Sequence, residues 1–311
     1  MNKDSRVYIA GHTGLLGSAL IKKLEDNGFR NIITRAHSEL DLTRYDDVET
    51  FFRENEPEYV FLAAGTTGGI IANRTYPYRF LHVNIAIQDN VFEVANEYNV
   101  KHVVFYGSSC IYPKQSSQPI KEKYMLTGAI EETSEAYAIA KMAGVIACKS
   151  YNTQFNTNRF IALVPNTMFG TNDHFDNNNS HVLSALISKF HIAKENKDKE
   201  IVLWGSGNPR REFIFSEDVA EASIFAVEHS EKLENKHYNV GTGIDITIKD
   251  LANMIASVVE YNGEIGWDTD MPDGALRKLL DSSEFVSLGW KHSVSLETGL
   301  RLVYQWFLNN N

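Results

Sequence analysis

The feature that most constrains this chain lies near its start. The β-branched run Val7–Ala10 leads directly into Gly11-His12-Thr13-Gly14-Leu15-Leu16-Gly17, and a helix-length segment, Ser18–Asn27, follows. Glycines at this spacing let the chain turn tightly, bring backbone N–H groups against an anion and pack the helix closely on the strand. A strand, a glycine turn and a helix in that order open a βαβ unit with a pyrophosphate cradle at the helix N-terminus.

The rest of the first half repeats the rhythm. Short apolar runs at Asn31–Thr34, Tyr59–Ala64, His102–Tyr106 and Phe160–Val164 alternate with helix-length segments such as Ile85–Tyr98 and Ala138–Tyr151. This alternation predicts a Rossmann-type doubly wound α/β fold, with a parallel sheet covered by helices on both faces. Beyond residue 167 the rhythm loosens into an Asn-rich loop at Asp173–Ser180, a turn at Gly205–Pro209 and a second helix-rich stretch. There Thr247 and Asp250 form a capping-box pattern, and Ser295 precedes the spaced apolar residues Leu296, Leu300, Val303 and Phe307. The expected division is a dinucleotide-binding domain over 1–167, taking in about 214–243, and a smaller mixed substrate lobe over 168–213 and 244–311.

Charge and cysteine content narrow the function classes. With 30 basic against 40 acidic residues the formal charge is −10, and no basic block offers the surface that nucleic-acid binding needs. The longest apolar runs fall far short of a membrane span, and the polar segment Met1–Arg6 does not resemble a signal peptide, so a soluble cytoplasmic protein is expected. Two cysteines, Cys110 and Cys148, cannot make a disulfide framework, and no metal is expected.

Near the end of the second strand an NAD site would place an acidic residue for the ribose hydroxyls, whereas this chain has Arg35. A guanidinium there suits a 2′-phosphate and favours NADP(H), with His12 as a second phosphate neighbour. Asp41 and Leu42 are placed to border the adenine. Ala63, Ala64 and Gly65 supply small residues after the next core strand, where a cofactor must pass close to backbone.

Tyr137 and Lys141 stand four apart on one helix and so share a face, where the lysine's charge is expected to lower the phenol's pKa. Upstream, a strand ends in Gly107-Ser108-Ser109-Cys110-Ile111-Tyr112, and parallel strands deliver functional residues at their C-terminal ends. Ser108 is then the natural hydrogen-bond partner for a substrate carbonyl oxygen.

On these residues the chain resembles the extended short-chain dehydrogenase/reductases, and within them the GDP-L-fucose synthase branch. The resemblance runs from Val7 to Leu308 through Gly107–Pro113, Ala136–Lys141, Asn179–Val182, Trp204–Gly207, Arg211-Glu212-Phe213, Asn239–Gly243, Pro272-Asp273-Gly274 and Arg277–Asp281. It implies an NADPH-dependent epimerase/reductase that inverts C3 and C5 of a GDP-4-keto-6-deoxy sugar and then reduces C4. Cys110 and His181 would carry the epimerising protons, with Ser108, Tyr137 and Lys141 serving the reduction. Further cofactor contacts would come from Tyr106, Gly107, Ser109, Pro165, Asn166, Thr167, Met168 and His181. Lys189, Trp204, Arg211, Asp273 and Lys278 would bind the nucleotide-sugar, and the assembly would be a homodimer packed through Ile85–Tyr98 and Ala138–Tyr151. Cys148 reads as core.

The chain departs from the branch at Pro165-Asn166-Thr167-Met168-Phe169-Gly170, where the Asn and Thr have traded places, and at Ala136, where a proline often stands. It departs again at Gly65-Thr66-Thr67-Gly68-Gly69-Ile70, which replaces a usual basic or Val-containing run. The first and last border the expected sugar pocket, so a 6-deoxyhexose, a 6-deoxyheptose and a reductase-only activity all stay open. A 4,6-dehydratase is disfavoured because Ser109-Cys110 stands where those enzymes carry an acidic pair. A non-catalytic dinucleotide sensor is disfavoured by the intact Ser108, Tyr137 and Lys141.

Overall fold

The structure, a computed structural model, describes residues 1–175, 182–271 and 273–310. The first half alternates β1 (Arg6–Ala10), α1 (Leu15–Asp26), β2 (Asn31–Ile33), α2 (Tyr45–Asn55), β3 (Tyr59–Leu62), α3 (Ile70–Thr75), α4 (Pro77–Glu97), β4 (His102–Tyr106), α5 (Glu135–Gln154) and β5 (Phe160–Pro165). The second half contains β6 (Thr167–Phe169), α6 (Val182–Asn196), β7 (Glu200–Trp204), β8 (Arg210–Phe215), α7 (Ser216–Glu228), β9 (His237–Val240) and β10 (Asp245–Thr247). It ends with α8 (Ile248–Val259), β11 (Glu264–Asp268), β12 (Arg277–Lys278), α9 (Ser283–Ser287) and α10 (Leu296–Asn310). Among the described residues no helix is long and apolar enough to cross a membrane.

Six parallel strands form the main sheet in the order β2-β1-β3-β4-β5-β9. The strands read as continuous apolar runs because both faces are buried. Side chains alternate between two cores: Tyr8, Val60, Val103 and Ala162 face the α2, α4 and α5 side, while Ile9, Phe61, Val104 and Leu163 face α1 and α7. Cys148 lies in the first of these cores, as its apolar helix face implied. From β1 the chain winds outward to β2, then returns to add β3 on the other side. That reversal opens a crevice beyond the carboxyl ends of β1 and β3.

Two helices start earlier than their apolar patterns suggest. The segment read as Ile85–Tyr98 begins at Pro77, which presets the first helical turn, and the segment read as Ala138–Tyr151 begins at Glu135. Pro77, Tyr78 and Arg79 are exposed, as is Glu135, so no apolar periodicity marks these starts. Both expected caps are present: Thr247 Oγ1 accepts from Asp250 N at 3.0 Å, and Ser295 Oγ accepts from Thr298 N at 3.2 Å.

The second lobe rests on α6, α8 and α10 around Phe169, Phe213 and Phe215. Its strands β10, β8, β12 and β6 form one small sheet, and β7 pairs with β11. The chain therefore leaves the main sheet at Asn166 and rejoins it through α7 and β9, which places β8 as far as Phe215 in the second lobe's sheet. Glu212, fully buried, joins the two units. It accepts hydrogen bonds from the Asn166 side chain, from Leu280 N at 3.0 Å and from Gly243 N at 2.7 Å, and burial pushes its carboxyl above the usual range.

The α4 and α5 helices approach the sheet tightly enough to exclude a methyl group at Gly144. A Cβ there would lie 2.3 Å from Phe105 Cζ and 2.6 Å from Gln88 Oε1, both on buried side chains. Gly144→Ala is therefore expected to destabilise the fold by about 1–3 kcal/mol through overpacking. Urea denaturation checks this, and an unchanged midpoint would show that Phe105 and Gln88 can move aside.

Candidate active site

A cleft of about 890 Å³ follows the carboxyl ends of the central strands. Its floor is the glycine turn, where two positions exclude any larger residue. Gly11 has φ +80°, and a Cβ on it would lie 2.7 Å from Ala64 Cα; one on Gly17 would lie 2.1 Å from Gly11 O. Gly11, His12, Thr13, Gly14 and Leu15 line the cleft, whereas Leu16 and Gly17 are buried beneath it and hold α1 against β1. Arg35, Asp41 and Leu42 border one end, with Ala63, Ala64 and Gly65 along the wall between.

Arg35 is held rather than loose. Its guanidinium donates to Thr34 O at 2.8 Å and Asn55 Oδ1 at 3.1 Å and lies 5.5 Å over the Phe51 ring. Asp41 accepts from Thr43 Oγ1 and Thr43 N, and these bonds hold its carboxyl below the usual range.

At the other end Gly107, Ser108, Ser109, Tyr137, Pro165, Asn166, Thr167 and Met168 line the cleft. Ser108 follows β4 and accepts from Cys110 N at 3.5 Å, opening a single helical turn over Ser109–Ile111. Lys141 is buried one turn beyond Tyr137; its Nζ donates to Tyr106 O at 3.0 Å and lies 5.9 Å from the Tyr137 ring centre. Tyr106 lies under the site, its hydroxyl donating to Ser223 Oγ at 2.9 Å. Tyr106 and Lys141 thus support the cleft from below.

The electrostatics differ from the expectation that Lys141 lowers the Tyr137 pKa. Burial pushes the phenol up, Cys110 adds to the rise, and the Ser108 hydroxyl opposes it. Burial pushes Lys141 itself down to about 8. Desolvation penalises the charged forms of both groups more than their proximity favours them. Cys110, also buried, has its thiol pushed up, with Lys278 the largest opposing influence, then Ser108 and Lys141.

The residues expected to hold a nucleotide-sugar gather apart from this cleft, along β7, β8 and β12. Trp204 is 68% exposed at the end of β7, which excludes a core role. Asp273 accepts from Ser206 N at 2.9 Å and Ser206 Oγ at 2.6 Å, which holds its carboxyl low. Arg211 donates to Ala275 O at 2.6 Å and Arg210 O at 2.8 Å, and burial lowers its pKa against the pull of Asp273. Lys278 stands opposite Arg211 in the β12–β8 register and is pushed down by burial, with the nearby Cys110 opposing. Lys189 donates from α6 to Val202 O at 3.3 Å. Cys110 thus stands between the cleft and this cationic edge. His181 lies outside the described residues.

Residues 7–241 match the family model described as the NAD dependent epimerase/dehydratase family. The chain belongs to that family. It is 48% identical to GDP-L-fucose synthase 1 of Arabidopsis thaliana, over 99% of this chain and 95% of the relative. Among solved structures it is similar to a GDP-D-glycero-L-gluco-heptose synthase of Campylobacter jejuni determined in the presence of NADPH, with TM-score 0.93, 37% identity and 99% of each chain covered. It is likewise similar to a GDP-mannoheptose C4 reductase of the same organism with NADP bound, with TM-score 0.91, 37% identity and 99% of each chain covered.

The family's dinucleotide fits this cleft. The glycine cradle admits a close backbone approach, the walls after β3 and β4 are built of small residues, and the volume suits a ligand of that class. Sequence reasoning missed the residues that α4 contributes. Buried Asn84 orders the third βα loop, accepting from Thr66 N and donating to Thr66 O, each at 3.0 Å, while Phe80 meets Tyr137 edge-on at 6.1 Å. Thr66, Thr67, Gly68 and Arg79 also line the cleft. Thr66, Thr67 and Gly68 were marked in the sequence only as a departure bordering the sugar pocket, and the only signal for Arg79 is its place at a helix start.

The lowered pKa of Lys141 has a stability consequence. Its pKa is about 8 when folded against 10.5 for the free side chain, so the unfolded chain holds this proton more tightly. The charged form therefore opposes folding below about pH 8, and that opposition fades as pH rises from about 8 to 10.5. Lys141→Met is expected to raise the thermal midpoint more at pH 7 than at about pH 9.5, in melts followed by circular dichroism. The opposite order would mean that the Tyr106 hydrogen bond outweighs burial.

Proposed function

We propose that this chain is an NADP(H)-dependent oxidoreductase with epimerase activity, acting on a GDP-4-keto-6-deoxy sugar. The observation that carries the reading is the placement of buried Cys110 beside Ser108, Tyr137 and Lys141 at one end of the cleft, with Lys278 and Arg211 beyond it. The relatives named above support the substrate class.

The chemistry follows from the acidity of carbons flanking a ketone. Cys110, as thiolate, removes the proton at C3 or C5; the electron pair passes to the C4 oxygen as an enolate, which Ser108 and Tyr137 stabilise by hydrogen bonds. His181 returns a proton on the opposite face and inverts the carbon. Bound NADPH supplies the hydride for reduction at C4. Tyr137 gives its proton to the C4 oxygen and Lys141 stabilises the phenolate left behind. The site must therefore gain on ligand binding what it lacks alone, since burial otherwise holds Cys110 as the thiol and makes Tyr137 a weaker acid. Trp204, Lys189, Arg211 and Asp273 hold the GDP portion, and Arg35 reads the 2′-phosphate.

Incubation with GDP-4-keto-6-deoxymannose in D₂O without NADPH tests the epimerase step: deuterium is expected at C3 and C5. Cys110→Ser should lower that exchange by about 10²-fold or more while reduction of a pre-epimerised ketone is retained. Equal loss of both steps would remove Cys110 from the base role. A second reading, reduction without epimerisation, is favoured by the likeness to the C4 reductase; NADPH oxidation with no deuterium incorporation would select it. Product NMR with the deoxyhexose and its heptose analogue decides the sugar.

The working form is a cytoplasmic homodimer packed through α4 and α5. Ile85 on α4 and Ile139 and Ile146 on α5 leave apolar surface exposed in the single chain. Ile146→Asp is expected to shift the assembly toward monomer in light scattering, and an unchanged mass would move the interface elsewhere.

A further inference from the structure

Arg79 is a cation of the cleft that the reaction described above does not use. It stands in the first turn of α4, on one stripe with Val83 and Ile87, and all three line the cleft. Ile87, Leu40 and Leu42 share one core cluster and line the cleft, Asn90 on the same helix donates to Leu42 O at 3.0 Å, and the helical rise carries the stripe about 12 Å from Ile87 to Arg79. The side chain is exposed and makes no hydrogen bond or ion pair with any described residue.

The neighbouring walls supply donors but little charge. The turn from Gly11 to Gly17 has no lysine or arginine, and the third βα loop offers Gly65, Thr66, Thr67 and Gly68 where the branch it resembles usually has a basic or Val-containing run. Lys141 is committed to Tyr106 O beneath the site. Among the described residues that line the cleft, Arg35 and Arg79 are the only arginines or lysines, and Arg35 is tied to Thr34 O and Asn55 Oδ1 near the end of β2.

A dinucleotide carries anionic charge in two places, its pyrophosphate and, in NADP(H), its 2′-phosphate. Neutral N–H donors satisfy oxygen lone pairs without neutralising charge, whereas a guanidinium does both and can bind bidentately. We propose that Arg79 is the cation that binds the cofactor's pyrophosphate, acting from α4 while the glycine turn donates N–H groups from the start of α1. Arg35 then serves the 2′-phosphate, so the two arginines divide the cofactor's anionic groups. The inference rests on a dinucleotide occupying the cleft and is independent of which sugar is reduced.

Titration calorimetry on the full chain, with no sugar present, separates these roles using NADPH, NADH and 2′-AMP as ligands. Arg79→Ala is expected to weaken NADPH and NADH by the same factor, about tenfold, and to leave 2′-AMP, which lacks a pyrophosphate, unchanged. Arg79→Lys should recover part of the loss. Arg35→Ala should weaken NADPH and 2′-AMP and spare NADH. Unchanged affinity for both dinucleotides in Arg79→Ala would overturn the assignment, as would weaker NADPH binding with NADH spared or a loss of 2′-AMP affinity. Arg79 is exposed, so an unchanged thermal midpoint should accompany the variant. Because no sugar enters the experiment, its failure would leave the proposed reaction standing, and an absence of sugar turnover would leave this assignment standing.

Discussion

The close approach of Gly11 to Gly17 and Ala64 is the contact on which the site depends. It seats α1 on β1, brings the loop after β3 against the glycine turn, and leaves backbone N–H groups facing the cleft. A methyl group on Gly11 would push the glycine turn off the loop after β3, and one on Gly17 would push α1 off the turn itself. The sheet order makes this contact possible, because β1 and β3 are neighbours at the point where the winding direction reverses.

Around that contact the protein buries groups whose charged forms burial disfavours. Tyr137, Lys141, Cys110 and Lys278 are all shifted toward their neutral forms; some neighbouring charges oppose the shift, while Cys110 adds to it at Tyr137 and Arg211 adds to it at Lys278. Such a site is poised for proton transfer, since a ligand that adds charge or excludes water changes the balance among all four groups. Glu212 plays a related architectural part. Its buried carboxylate gathers donors from the end of β5, the loop after β9 and the segment after β12, and so fixes the second lobe against the main sheet.

Much of this was legible in the chain. The five strands of the first half stand where β-branched runs predicted them; β1, β3, β4 and β5 carry a continuous apolar signal because they are buried on both faces, while β2, at the edge and not buried, shows only Ile32 and Ile33. Tyr137 and Lys141 were legible from helical spacing, and the glycine turn from its place after β1. The short strands β10 and β12 were not, since two or three residues paired to a neighbour carry no periodicity. Nor was the first turn of α4, whose residues Pro77, Tyr78 and Arg79 face solvent and follow no apolar rhythm.

The sequence by itself determined the element order, the glycine cradle and the chemistry available at Ser108, Cys110, Tyr137 and Lys141. These depend on local geometry and residue type, which act over a few positions along the chain. Only the tertiary structure decided which groups meet. It placed Lys278 and Cys110 near each other from distant parts of the chain, put Asn84 behind the third βα loop, and turned Arg79 into the cleft. It also reversed the expected effect on Tyr137, because desolvation depends on how much protein surrounds a group and not on which residue stands one turn away.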